Sequence, residues 1–375
     1  MFEATPIPPP EADVVVVGGG PAGLAVGIAL AMRGHQTVVA DHAELPLDKC
    51  CGEGLLPEAL QALRALGVQT SAESSWPFHG ICFKHGSRRA QAEFPDQSGR
   101  GMRRTVLHQA LVERAQQAGV LLFWGKPVTV VDNNTVSLGD DTIRTKWIVG
   151  CDGMQSQVRQ WAGLEAGIVS APRYGFRRHA QIRPWSQFVE VYWGPNLQIY
   201  VTPTAANQVG IAVLSQDPQL RVADGLQQFP ELEAQLGSAE WATSERGALT
   251  MNRKLVDLHR GNVVLAGDAS GSVDAITGLG LGVGFQQALA LADAITNQDL
   301  DAYTAAHRRI MRHPNRMADA LLLMGRSSWL ASRTVSVLER QPELFRALLA
   351  MHVGRLDQME ELVTHLRLGW NILTG

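Results

Sequence analysis

Apolar positions in this chain change their spacing several times, and each change predicts an element. Val14 to Val17 is an uninterrupted β-branched run, the pattern of a strand buried on both faces. Leu24 to Met32 reads as a helix ended by Gly34, and Thr37 to Ala40 as a second strand. After Pro57, the positions Ala59, Leu60, Leu63 and Leu66 have helical spacing, with Gly67 as the stop. Ile81–Phe83 and Ala92–Phe94 are short strands. A helix opens at Met102 and runs to Gln117, burying Leu107, Leu111 and Ala115. Strands follow at residues 120–124 and 128–131, then a pair through Val136 and Ile143. Lys146 to Gly150 is another buried strand, and Ser156 starts a helix.

From residue 171 to 214 the pattern becomes a meander. Tyr174–Arg183, Phe188–Trp193, Leu197–Thr202 and Val209–Leu214 alternate, parted by Pro184, Gly194-Pro195 and Asn207. The earlier pattern then returns with Val263 to Ala266 and a helix over Gln286–Ile295. Residues 301–375 read as helical, broken at Pro314 and Pro342. These elements predict a doubly wound α/β domain with an inserted antiparallel sheet and a C-terminal helical segment. Residues 12–70, 101–165 and 255–300 would form the first domain, 71–100 and 166–254 the inserted sheet domain, and 301–375 the helical region.

Composition narrows the class. The 375 residues are 45% hydrophobic and 18% charged, enough apolar content for a large core. The net charge of −3 argues against a nucleic-acid partner. Residues 14–32 carry no charge, but Gly18-Gly19-Gly20-Pro21 and further glycines interrupt them, which fits neither a signal peptide nor a spanning helix. Cys50, Cys51, Cys82 and Cys151 offer no disulfide framework, so a reducing cytoplasm is expected. No metal-binding motif and no internal repeat is present. Residues 1–12, with four prolines, read as a tail before the first strand. His307, Arg308, Arg309, Arg312, His313 and Arg316 form a basic patch that reads as a solvated helix face, or as a lipid or phosphate contact.

Three stretches carry candidate chemistry. Gly18, Gly20 and Gly23 have the G-x-G-x-x-G spacing between a strand and a helix, and Asp41 ends the next strand. Gly18 permits a tight turn, Gly20 lets a pyrophosphate approach the backbone, and Gly23 lets helix and strand pack closely. The helix N-terminus offers free N–H groups to phosphates, and Asp41 is placed for ribose hydroxyls. Cys151-Asp152-Gly153 follows the buried strand that ends at Gly150. Gly267-Asp268 follows another, and Gly278, Gly280, Gly282 and Gly284 then lead into a helix. Such a glycine run suits backbone N–H groups facing a flat anionic ligand. The loop Leu47–Leu56, with Cys50, Cys51, Gly52 and Glu53, reads as one laid against a cofactor ring. Cys51 is either a redox or polar contact or a small packing residue. Arg104, ahead of a helix, either bonds a phosphate or ribityl chain or lies at the surface. Tyr174, Arg177, His179, Tyr192 and Trp193 are polar and aromatic candidates on the inserted sheet.

Together and in this order, the three motifs resemble the FAD-dependent hydroxylase superfamily, the group A flavoprotein monooxygenases, over residues 12–300. The resemblance implies a Rossmann-like FAD-binding domain with an inserted antiparallel substrate-binding sheet. It implies that Gly18, Gly20, Pro21, Ala22 and Gly23 hold the pyrophosphate and that Asp41 binds the adenosine ribose. Val128 would lie near the adenine, and Arg104 and Asp268 at the pyrophosphate and ribityl region. Asp152 would be tied to FAD and nicotinamide use. Cys51 and Gly52 would face the cofactor, and Gly278, Gly280, Leu281 and Gly282 would place N–H groups at the flavin. Cys51-Gly52-Glu53-Gly54 and Asp274-x-x-Thr277-Gly278-x-Gly280 look like the geranylgeranyl-reductase-like branch. That branch's usual Thr-Gly-Glu-Gly reads Thr277-Gly278-Leu279-Gly280 here. No Trp-x-Trp-x-Ile-Pro halogenase signature is present. The activity implied is a monooxygenase using NAD(P)H and O2 on a small apolar aromatic, phenolic or polyketide-like molecule, through a flavin C4a-hydroperoxide. The rivals are an ene-reductase acting on a prenyl or lipid double bond, and an FAD protein for electron transfer or sensing. Cys51, Arg177 and His179 are the catalytic candidates. Partners would be the organic substrate and O2, with peripheral membrane contact open.

Overall fold

Val14, Val15 and Val16 have no exposed surface, because their strand, Glu11–Val17, lies in the middle of a parallel sheet. The computed structural model describes residues 7–354 except 72 and 96, with 364, 367–369, 371 and 372. The first part of the proline-rich tail and most of the chain beyond 354 therefore lie outside the described residues. Leu121–Phe123, Thr37–Ala40, Glu11–Val17, Asp141–Gly150 and Val263–Leu265 lie side by side in that order, all parallel. The hairpin Val128–Asp132/Thr135–Leu138 extends from the outer half of Asp141–Gly150.

Four helices belong to this first stretch of chain: α1 (Pro21–Ala31), α2 (Pro57–Ala65), α3 (Arg104–Gln117) and α4 (Gln157–Trp161). α1 is apolar all round because it is packed all round. Its Gly27 leaves no room for a side chain against Val39.

The second sheet runs Glu240–Trp241, Arg173–Gln181, Gln208–Ser215, Leu197–Ala205, Phe188–Gly194, Gly80–His85 and Arg88–Glu93. Its meander is antiparallel, as the alternation predicts. Phe188–Gly194 nevertheless pairs parallel with Gly80–His85, where two separate excursions of the chain meet. Every residue of Gln208–Ser215 is buried, since both faces of the sheet are covered. On one face lie α5 (Val222–Leu226) and α6 (Pro230–Leu236), packed on Ile199, Ile211 and Val213. Tyr192 points to that side. Its neighbour Trp193 points to the other, as strand geometry requires.

The chain ends in α7 (Gly280–Asn297), α8 (Leu300–Gly325), α9 (Ser328–Arg340) and α10 (Pro342–His352). Two expectations change here. α7 begins at Gly280 rather than Gln286, so three of the four glycines form its first turns. α8 runs straight through Pro314, which is buried among the helix's packed positions. Tertiary packing outweighs the roughly 3 kcal/mol cost of an interior proline. Pro342 does mark a break and opens α10. In the basic patch His307 is buried, while Arg308, Arg309, Arg312 and Arg316 are exposed. Among the described residues, no helix is long and apolar enough to cross a membrane.

Candidate active site

The site begins where the central strand turns into α1. Gly18 has φ +109°, and a Cβ there would stand 2.4 Å from the Cys151 carbonyl oxygen. A Cβ on Gly23 would meet the Gly18 carbonyl oxygen at 1.8 Å. Gly20, the N-cap of α1, instead has nothing within 4 Å of its missing side chain and opens on a groove. Pro21 and Ala22 line the same groove. Asp41 folds back on this turn: its Oδ2 accepts the Gly19 N–H at 2.7 Å and its Oδ1 the Ala43 N–H at 2.9 Å. His108 contacts the Gly19 carbonyl oxygen at 2.8 Å, a support that its place mid-helix did not signal. Burial lowers the pKa of His108.

Arg104 is the first residue of α3 and is 5% exposed. It lines the groove, and its Nη1 is buried without a hydrogen-bond partner. Burial lowers its pKa. Val128 lines the groove from the outer hairpin. Asp152 caps α4 by accepting the Gln157 and Val158 N–H groups on Oδ2, at 2.7 and 3.1 Å, and leaves Oδ1 unpaired. Asp268 stands in a short 3₁₀ turn with its side chain open to the cavity. The cavity lies deep in the molecule, so burial raises the Asp268 pKa, partly opposed by Lys49. Gly278, at φ +68°, and Gly280 have open space beside them, and Leu281 also faces the cavity.

Three expected contacts are corrected. Gly282 does not face the cavity: it lets α7 close on α2, where a Cβ would be 3.3 Å from that of Ala59. Gly284 lines the cavity in its place. Arg177 and His179 do not reach the cavity either, because their side chains are buried behind the Asp48–Glu53 loop. Cys51 does line it, and so do Cys50, Gly52 and Glu53. Burial raises both thiol pKa values, that of Cys50 to about 12, so both are neutral thiols at physiological pH. Glu53, which the sequence places in this loop without a role, lines the cavity beside them.

This groove suits FAD on its own geometry. It offers an unpaired buried guanidinium at Arg104, an unpaired carboxylate oxygen at Asp152, and backbone left open at Gly20, Gly278 and Gly280. The N-termini of α1 and α7 both open on it, placing partial positive charge beside it. The groove continues without partition into an apolar chamber, the whole cavity measuring about 1400 Å³. Phe83, Val191 and Trp193 form its floor on the second sheet. Met324, Leu338 and Phe345 of α8, α9 and α10 form its roof. Tyr200 stands at the junction, donating its O–H to the Ile276 carbonyl at 2.7 Å.

The FAD binding domain family matches residues 11–311. The menaquinone reductase of Mycolicibacterium smegmatis is 26% identical over 328 residues, 79% of this chain and 79% of its own. The 3-(3-hydroxy-phenyl)propionate/3-hydroxycinnamic acid hydroxylase of Mycobacterium sp. (strain JLS) is 32% identical over 187 residues, 46% of this chain and 33% of that one. A flavoprotein/dehydrogenase from Cytophaga hutchinsonii has the same fold, with a TM-score of 0.83 at 15% identity over 97% of this chain and 99% of its own. These matches carry the superfamily and do not single out the geranylgeranyl-reductase-like branch. The chain belongs to the FAD binding domain family and is an FAD-dependent oxidoreductase of the flavoprotein hydroxylase superfamily.

Proposed function

We propose that this enzyme is an FAD-dependent monooxygenase that draws electrons from NAD(P)H and uses O2 to hydroxylate an apolar aromatic, phenolic or polyketide-like molecule. The observation that carries the reading is the undivided cavity: a polar, glycine-lined groove opens directly into an apolar chamber. Bound FAD supplies hydride acceptance and oxygen activation. The protein's share is binding, positioning and electrostatics. Asp41 and the Gly18–Gly23 turn hold the adenosine and pyrophosphate end, and Arg104 answers its charge. The N-terminus of α7 stabilises negative charge at the flavin end. The chamber excludes water and holds an apolar substrate against the ring. Cys51 is a packing residue of that wall, and Arg177 and His179 act from behind it.

The test is turnover of the purified holoenzyme with NAD(P)H, a phenolic substrate and ¹⁸O2. Incorporation of one labelled oxygen into the product is expected. The same product forming at the same rate under argon would sink the reading.

A second reading is a flavin reductase acting on a lipid or prenyl double bond. It is favoured by the match to the menaquinone reductase, which spans 79% of both chains, whereas the hydroxylase match spans 33% of that relative. Anaerobic saturation of such a bond, with no oxygen consumed, is its signature. For either apolar substrate, peripheral membrane contact would be made through Leu323 and Trp329. These are 55% and 65% exposed near the junction of α8 and α9, and Leu323 also lines the cavity.

A further inference from the structure

Glu53 stands at φ +60°, in the left-handed region that a residue with a Cβ rarely occupies. Such a conformation persists where its surroundings hold it, and here they do so from three sides. Its carboxylate Oε1 accepts the backbone N–H of Arg104 at 2.8 Å. Its Oε2 lies 2.5 Å from Nε2 of His179. Its own carbonyl accepts the Met102 N–H at 2.9 Å. Arg177 approaches Oε1 at 3.7 Å while bound to Asp48 at 2.5 Å. The Glu53 side chain is 1% exposed, and that of His179 is fully buried.

These contacts join two parts of the molecule. Arg104 opens α3, and the N-cap residue Arg103 gives that helix no side-chain cap. The Glu53 carboxylate fills the role, its negative charge set against the helix's positive end. The residue it fixes is the one whose unpaired guanidinium atom faces the cofactor groove. His179 belongs to Arg173–Gln181 of the second sheet and does not touch the cavity. We infer that Glu53 is a positioning residue of the cofactor site: it sets Arg104 and the Cys50–Gly52 wall for FAD, and it registers both against the second sheet through His179. The inference rests on the FAD site and is independent of whether the enzyme hydroxylates or reduces.

The test is titration of apoprotein with FAD, followed by quenching of flavin fluorescence, for Glu53→Ala, Glu53→Gln, His179→Leu and the Glu53→Ala/His179→Leu pair. Glu53→Ala is expected to weaken FAD binding at least about 10-fold. Glu53→Gln should stay within about 3-fold of wild type, since its amide oxygen still accepts the Arg104 N–H and its amide nitrogen can donate to His179. His179→Leu should weaken FAD binding several-fold, though its side chain never meets the cofactor. The pair should bind no worse than Glu53→Ala alone, because both act through one joint. Wild-type affinity in Glu53→Ala, or losses that simply add, would overturn the inference. If Glu53→Ala does not fold by far-ultraviolet circular dichroism, His179→Leu decides, and unchanged FAD affinity there overturns it as well.

Discussion

Arg173 and Asp274 meet as a buried ion pair, Nη1 to Oδ1 at 2.8 Å, with 7% and 1% of their side chains exposed. The pair ties the second sheet to the turn that delivers Gly278 and the start of α7 to the cofactor groove. Asp274 also caps that turn through the Ile276 N–H at 2.9 Å, and its own N–H donates to Asn252 at 2.6 Å. Arg173 has a second partner in Gln198. Removing the carboxylate strands a guanidinium in the interior, which typically costs about 3–5 kcal/mol. Asp274→Ala should therefore lose about that much in urea unfolding. Asp274→Asn keeps the cap and should lose less. A loss under about 1 kcal/mol in the alanine variant would show that the pair is not stabilising the junction.

Asp268 and Arg104 face the same groove with opposite charge and no bond between them. In the proposed reading both contact the cofactor. Asp268→Ala and Arg104→Ala should each purify with much less flavin than wild type and bind added FAD at least about 10-fold more weakly, as expected for a charge-assisted contact. Full yellow holoenzyme from either variant would remove that residue from the cofactor contacts. Thermal melts of the two apoproteins should stay close to that of wild-type apoprotein, because neither side chain makes a hydrogen bond or ion pair with the described residues.

Much of this site could be read from the sequence because its parts obey local rules. Val14–Val17 followed by Gly18, Gly20 and Gly23 needs no partner to be recognised, since the turn geometry itself demands glycine. Asp41 follows from its place at the end of the next strand. Long-range contacts were not legible. Glu53 and His179 are 126 positions apart, and no periodicity announces that they touch. Gly282 looked equivalent to Gly280, yet one faces α2 and the other the groove, because helical phase rather than glycine content decides. Pro314 read as a break because its cost is local while the packing that offsets it is tertiary.

Cys51 tests the difference between a wall and a reactant. Its thiol lines the cavity, receives the Glu53 N–H at 3.3 Å, and is held neutral by burial, which raises its pKa. Cys51→Ser should keep most of the turnover, and the wild-type thiol should resist alkylation at pH 8 in the folded protein. Complete loss of turnover with FAD still bound would give Cys51 a chemical role.

Acid should destabilise the fold through two buried histidines of the C-terminal helices before it reaches ordinary carboxylates. His307 of α8 is buried against Ser270, Nε2 to Oγ at 2.9 Å, and burial lowers its pKa to about 4, with Arg308 adding to the shift. His352 of α10 lines the chamber, and burial lowers its pKa to about 4 as well, with His313 adding to it. Both are neutral in the folded chain. In the unfolded chain each would titrate near 6.5. Between these two values the unfolded state binds protons that the folded state refuses, so stability falls as pH drops through 6.5 and levels off near 4. The full effect is about 3 kcal/mol for each histidine. Thermal melts at pH 7.5 and pH 5.0, a window in which ordinary carboxylates stay ionised, should therefore differ by on the order of 5 °C. His307→Gln keeps a polar partner for Ser270 and removes one of the largest of these titrations, so the difference should shrink, the rest coming from His352 and from His108 and His85, whose pKa values burial also lowers. A melting temperature that does not change across the window would mean that these two rings are not held neutral by the fold.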